Sequence, residues 1–185
     1  MKDKELTVKL AMKLIKNFEG FEARAYPDPA SELYKQLSKD GILASYLQGS
    51  IVELPEKYSK LSGAPWTIGY GETKGVKQGD VWTAVQAEEA LATRIEGFLS
   101  EVLKTSPKLA LESPERVSAI VSLVYNIGIT NYKGSTVARE IANGNHVSAA
   151  QAILLWNKAG KPLQVMQGLV RRRQAEKDMY MAVRG

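Results

Sequence analysis

The chain has 185 residues, 44% of them hydrophobic, with no Cys and a single His. That length suffices for one compact domain or two small lobes sharing a helix, and the missing Cys excludes a disulfide scaffold, a thiolate metal site and a cysteine nucleophile. The net charge of +5 favours an anionic partner without choosing between nucleic acid, lipid headgroups and the bacterial envelope, while a lone His146 leaves the chemistry to carboxylates, hydroxyls, lysines or tyrosines.

The start, Met1-Lys2-Asp3-Lys4-Glu5, is charged and no apolar run follows it, so it does not read as a signal peptide. No segment approaches the roughly 20 apolar residues that span a bilayer, and a soluble product of a cytoplasm is expected. Leu6, Leu10, Leu14 and Phe18 recur every four residues beside Ala11 and Ile15, which predicts a helix ended by Gly20. Glu19 then falls in its last turn between Phe18 and Phe21, where the macrodipole disfavours an acid. Such breaches of local rules mark candidate functional residues.

From Ala23 to about Thr83 the periodicity stops. Pro27-Asp28-Pro29 is a turn signal. A helical piece follows through Leu33, Tyr34, Leu37, Ile42, Leu43, Tyr46 and Leu47, interrupted by Gly41. Trp66-Thr67-Ile68-Gly69-Tyr70-Gly71 alternates and reads as a strand whose glycines let another backbone or a ligand approach. Thr83 and Gln86 form a capping box opening a long helix striped by Leu91, Ile95, Phe98, Leu99 and Val102. Ser113-Pro114 starts another, buried along Val117, Ile120, Val121, Val124 and Tyr125 and stopped by Gly128. Short helices around 136–143 and 148–157 are closed by Gly144 and Gly160, and a last helix runs over about 163–183. The fold class is α+β and mainly helical. A small mixed lobe spans about 19–83 with an inserted segment at about 30–62. A connecting helix follows at about 84–104, then a helical lobe at about 105–185 packed with helix 6–19.

A glycosidase needs one carboxyl that donates a proton to the leaving oxygen and one carboxylate that activates water or attacks carbon. Glu19 has an apolar, aromatic context and Asp28 a proline-bounded loop, so their environments should push the two proton affinities apart. On spacing alone, two surface acids remain the ordinary explanation. The surrounding text is more specific. Phe18-Glu19-Gly20-Phe21, Ala25-Tyr26-Pro27-Asp28-Pro29 and Pro65-Trp66-Thr67-Ile68-Gly69-Tyr70-Gly71 closely resemble the phage lysozymes, family 24 of the glycoside hydrolases. The resemblance continues through Leu123-Val124-Tyr125-Asn126-Ile127-Gly128, Trp156-Asn157-Lys158-Ala159-Gly160 and the run from Gly168 to Glu176, and covers roughly 150 residues.

The resemblance implies a two-lobed fold with a cleft between the lobes and hydrolysis of the β-1,4 bond between N-acetylmuramic acid and N-acetylglucosamine in peptidoglycan, with no metal or cofactor. Glu19 would be the general acid, and Asp28 with Thr67 would position and deprotonate water, inverting the anomeric carbon. Tyr125, Asn126 and Ser135 fall at positions resembling cleft residues, although Tyr125 also reads as core and Ser135 as a helix N-cap. A monomer with no nucleic-acid partner is implied. It would accumulate in the host cytoplasm until a holin releases it to the periplasm. Two departures stand out: residues 29–66 intervene where the family has a short turn, and Glu72 stands where it commonly has a His. His146 reads as a surface loop residue, and Arg171, Arg172 and Arg173 as a solvated basic face or a partner for Glu19. The alternative is a lysozyme-like glycan-binding or envelope- or membrane-binding protein without turnover, using the basic helix 168–184.

Overall fold

The computed structural model describes residues 3–182. Two compact units divide the chain: residues 19–91 form one, and the segment before residue 19 joins the segment after residue 91 to form the other.

In the 19–91 unit, β1 (Glu22–Pro27) pairs antiparallel with β2 (Trp66–Gly69). Tyr26 faces Thr67 and Pro27 faces Trp66, but the register slips between Glu22, which faces Gly69, and Tyr26. The middle of β1 bonds instead to the segment around Val81, with the Ala25 amide donating to the Asp80 carbonyl at 2.9 Å and the Trp82 amide to Ala23 at 2.8 Å. The strand expected over 66–71 stops at Gly69. Ile68 and Glu72 exchange backbone hydrogen bonds, both 2.9 Å, around the turn. Gly69 and Gly71 have φ of +65° and +97°, conformations that favour glycine. A Cβ on Gly69 would lie 3.2 Å from the Trp82 ring, so an indole is what approaches there.

The inserted segment is folded. Ser31 caps α2 (Glu32–Lys39) through the Tyr34 amide at 3.1 Å, Gly41 breaks the chain at φ +73°, and α3 (Leu43–Leu47) follows. Leu33, Leu37, Tyr46 and Tyr58 are buried together, with Leu61 and Trp66 packed against them. Each fully buried leucine contributes about 1.5–3 kcal/mol, which lets a short segment hold its shape. At its edge Asp40 accepts from the Tyr58 hydroxyl at 2.6 Å and the Lys57 ammonium at 2.9 Å, which hold its carboxyl down to about 2.

α4 (Ala84–Thr105) opens on reciprocal bonds between Thr83 and Gln86 and runs from one unit into the other. In the helical unit, α5 (Pro114–Ile127) has Ser113 as N-cap and Pro at its first position, and packs against α1 (Lys4–Lys16) and α9 (Gln167–Met181). α1 ends three residues before the predicted end. Asn17 and Phe18 turn back on Leu14 and Ile15, and the buried stripe is Thr7, Val8, Ala11, Leu14 and Ile15, with Leu6 exposed. Glu19 thus lies beyond the helix. α6 (Ile129–Lys133) has no counterpart among the predicted elements. α7 (Thr136–Asn143) closes on Gly144 at φ +79°, and α8 (His146–Leu154) starts two residues early. Gly160 closes no helix; it turns a hairpin of β3 (Lys158–Ala159) and β4 (Gln164–Val165), which delays the last helix to Gln167. The predicted terminus at Val183 lies outside the described residues.

The basic helix is not solvated on all sides. Arg173 and Glu176 are fully buried and Arg172 is nearly so. Glu176 accepts from Ser122 at 2.7 Å, Arg172 at 3.2 Å and Arg173 at 2.9 Å. Burial pushes the Glu176 carboxyl up and the Arg173 guanidinium down, each against the pull of its partner. Burial of opposed charges makes such a cluster a poor source of net stability but costly to break. Glu176→Gln removes the carboxylate that pairs with the fully buried Arg173 guanidinium, and should lower the free energy of urea unfolding by about 3–5 kcal/mol. A loss within about 0.5 kcal/mol, the range of ordinary surface sites, would contradict it.

Candidate active site

Asp28 follows the last residue of β1 and is held from both ends of the inserted segment. Its amide donates to the carbonyls of Gly63 at 3.0 Å and Pro65 at 3.1 Å, and its carbonyl accepts from the Ser31 amide at 2.9 Å. The side chain closes an Asx turn, Oδ1 accepting from the Ala30 amide at 2.6 Å. The return segment fits tightly at this point. A Cβ on the buried Gly63 would sit 2.6 Å from the Trp66 ring and 3.0 Å from Pro27 Cβ. The insertion therefore grips the backbone of the acid rather than merely growing out beside it.

Thr67 is half-buried in the centre of β2, directly opposite Tyr26. The two side chains share a hydrogen bond. Burial pushes the Tyr26 phenol up, the Thr67 bond opposes this, and the carboxylates of Glu22, Glu19 and Asp28 raise it further. At neutral pH the phenol is protonated. Tyr26 thus gathers Thr67 and both predicted carboxylates into one electrostatic neighbourhood. Tyr26 stands within the Ala25–Pro29 motif, but nothing in the sequence assigns it a role, because only the slipped register sets it against Thr67.

Glu19 is half-buried in the turn after α1, and nearby Phe21 packs on Tyr70 with ring centroids 5.6 Å apart. Glu72 is half-buried, its backbone fixed by the bridge to Ile68.

The remaining candidates lie in the helical unit. Tyr125 is buried, its ring edge-on to Phe98 at 5.8 Å and 4.5 Å beneath the Arg94 guanidinium, which also donates to its hydroxyl at 3.3 Å. Asn126 is exposed next to it. Ser135 is buried and caps α7, accepting from Ala138 at 3.1 Å. It also borders an open cavity of about 460 Å³ shared with Thr136, Leu155, Trp156 and Leu163. His146 is no loop residue: it opens α8, with Nδ1 2.9 Å from the Tyr180 hydroxyl and Nε2 3.3 Å from Glu112. Of the three arginines only Arg171 is exposed. Among the described residues, no three His, Asp or Glu side chains converge as a metal site.

Comparison with known proteins bears on the same segments. The phage lysozyme family model matches residues 54–176. The match begins inside the insertion, so it includes Thr67, while Glu19 and Asp28 precede it. The endolysin of Acyrthosiphon pisum secondary endosymbiont phage 1 is 38% identical over 118 residues, 62% of this chain and 79% of the relative. The endolysin of Salmonella phage P22 is 32% identical over 152 residues, 80% of this chain and 99% of the relative. Among solved structures, the endolysin from Escherichia coli O157:H7 phage FAHEc1 superimposes with a TM-score of 0.67 at 30% identity, covering 94% of this chain and 92% of that one. By model, sequence and fold alike, the chain belongs to the phage lysozyme family.

Proposed function

We propose that the protein hydrolyses the β-1,4 bond between N-acetylmuramic acid and N-acetylglucosamine in peptidoglycan, with Glu19 as general acid and Asp28 as general base. The observation that carries this reading is the small sheet of the 19–91 unit. Its paired strands put Thr67 against Tyr26, whose phenol feels the charges of both Glu19 and Asp28. In the reaction, Glu19 gives its proton to the glycosidic oxygen as the bond from that oxygen to C1 breaks. Asp28, with Oδ1 held by the Ala30 amide, takes a proton from water through its second oxygen as the water oxygen bonds to C1. Thr67 holds that water. Asn126 and the cavity beside Ser135 are the surfaces we assign to glycan contact in the helical unit. Tyr125 supports Asn126 from the buried side.

A reading without turnover is less well supported. Its basic helix has Arg172 and Arg173 turned inward, and both carboxylates are retained. We propose that the protein acts as a monomer on the bacterial wall, reached from the host cytoplasm through the lesion of a separate holin. No helix among the described residues is long and apolar enough to cross a membrane. Digestion of purified peptidoglycan followed by mass spectrometry tests the activity. Products ending in reducing N-acetylmuramic acid are expected, and 1,6-anhydro ends would indicate a lytic transglycosylase instead.

Glu19→Gln should fold normally and lose on the order of 10²–10⁴-fold in turnover, the usual contribution of a general acid. Turnover within a few-fold of the parent would remove Glu19 from the role. Asp28→Asn should be at least as impaired and Thr67→Val less so. If Thr67→Val keeps full activity while another hydroxyl residue of 30–66 is essential, the water is held elsewhere. Gly63→Ala should cost about 1–3 kcal/mol of stability by overpacking against Trp66. It should also reduce kcat on the order of 10–100-fold by moving the Asp28 amide, since small misplacements are costly in such sites. An unchanged kcat in the folded variant would show that the insertion does not position the acid.

A further inference from the structure

The slipped register of β1 has a chemical consequence. Continued from the Glu22–Gly69 pair, an unbroken ladder would set Arg24 opposite Thr67. Arg24 is a donor-only side chain and could bond only to the lone pairs of a threonine oxygen. The irregularity takes Arg24 to Val81 and brings Tyr26 opposite Thr67 in its place. Bulges next to active sites commonly re-aim a side chain in this way. Directly opposed residues of an antiparallel pair stand close enough for their side chains to touch, and Tyr26 and Thr67 do share a hydrogen bond.

We propose that Tyr26 is a positioning residue for the hydrolytic water: its phenol oxygen takes the hydroxyl hydrogen of Thr67, which leaves Thr67 Oγ purely an acceptor. This rests on Asp28 as the base and Thr67 as the residue that holds the water. Water attacking C1 must turn a lone pair toward carbon, so both of its hydrogens need acceptors on the other side. Asp28 supplies one, and also takes the proton as the new C–O bond forms. A threonine hydroxyl supplies the second only if its own hydrogen is committed elsewhere, because it carries one donor and two acceptor positions. Left uncommitted, that hydrogen could bond to the very lone pair that must attack.

The surroundings of Tyr26 favour one sense of the bond. Hydroxyl dipoles orient in the local field, and with Glu19 protonated as the acid the field at this phenol comes from the carboxylates of Glu22 and Asp28. These draw the phenolic hydrogen toward themselves and leave the phenol oxygen's lone pair to face Thr67. Burial of the ring, the largest cause, and the nearby carboxylates raise the phenol's proton affinity above its ordinary value, so it stays protonated at neutral pH. Packing alone would be served by phenylalanine, which has the same ring.

The experiment is a double-mutant cycle of Tyr26→Phe and Thr67→Val, with kcat and KM measured on soluble peptidoglycan glycan fragments and urea midpoints measured in parallel. Tyr26→Phe should lower kcat roughly tenfold, the low end of what positioned acid–base groups supply, while KM changes little. The double variant should be no slower than Thr67→Val alone, because without the threonine hydroxyl the phenol has nothing left to orient. A Tyr26→Phe enzyme with parental kcat, or losses that multiply in the double variant, would overturn the proposal. Thr67→Ser keeps a hydroxyl and should still lose turnover when Tyr26→Phe is added, and failure to do so counts against it equally. Should any variant be partly unfolded, kcat is referred to the folded fraction. Asp28→Asn measured alongside separates the two levels. If it is active, the underlying assignment fails; if it is inactive while Tyr26→Phe is unimpaired, only the role of Tyr26 fails.

Discussion

One backbone amide organises the 19–91 unit, which holds the proposed catalytic residues. The N–H of Asp28 donates to the carbonyls of both Gly63 and Pro65, and it thereby ties the end of β1 to the start of β2 across more than thirty intervening residues. Everything local to the site follows from that clasp. It brings Pro27 against Trp66 and Tyr26 against Thr67. It also requires a residue without a side chain at Gly63, because the Trp66 ring fills the space where a Cβ would go. The insertion needs a core of its own to present its two ends at a fixed separation. Leu33, Leu37, Tyr46 and Tyr58 provide it. Loop-closure entropy grows only slowly with length, so a long insertion of this kind is tolerable once its ends are held.

A different solution stabilises the helical unit. Its apolar faces do most of the packing, and a buried cluster of Arg172, Arg173, Glu176 and Ser122 joins α9 to α5. The attraction within the cluster is opposed by the desolvation of Glu176 and Arg173, which makes it a poor source of net stability. A second tie is made where His146 meets Tyr180 and Glu112, and where the Arg116 guanidinium bonds both Glu112 and the Tyr180 carbonyl. Both ties rely on polar groups in a protein whose net charge invited a surface reading of its arginines.

Local chemistry was legible in the sequence wherever it was self-contained. Thr83 with Gln86 and Ser113 before Pro114 open helices because each cap is completed within four residues. The mainly helical α+β class and the phage lysozyme family were legible too, since several motifs occur in order. What failed depended on pairings that the local pattern of residue types does not reveal. Glycine signals both helix ends and hairpin turns, and only the pairing of Ala159 with Gln164 makes Gly160 the latter. The inward turn of Arg172 and Arg173 depends on Ser122 and Glu176. The end of α1 before Glu19 depends on 3₁₀-type bonds back to Leu14 and Ile15. In the proposed site, Glu19, Asp28 and Thr67 are the residues that the motif resemblance singles out. The facing of Tyr26 could not be read, because a two-residue slip keeps each side chain on its face and so leaves no mark in the hydrophobic pattern.

In the proposed chemistry Asp28 is a base that activates water rather than a nucleophile that attacks carbon, and the configuration of the first product distinguishes the two. Proton NMR of a soluble β-1,4-linked glycan fragment, recorded during the first turnovers before mutarotation, reads that configuration directly. The α anomer should appear first, the result of a single displacement by water. Initial release of the β anomer would mean two displacements through a covalent glycosyl-enzyme, and would contradict the roles proposed for Asp28, Thr67 and the water between them.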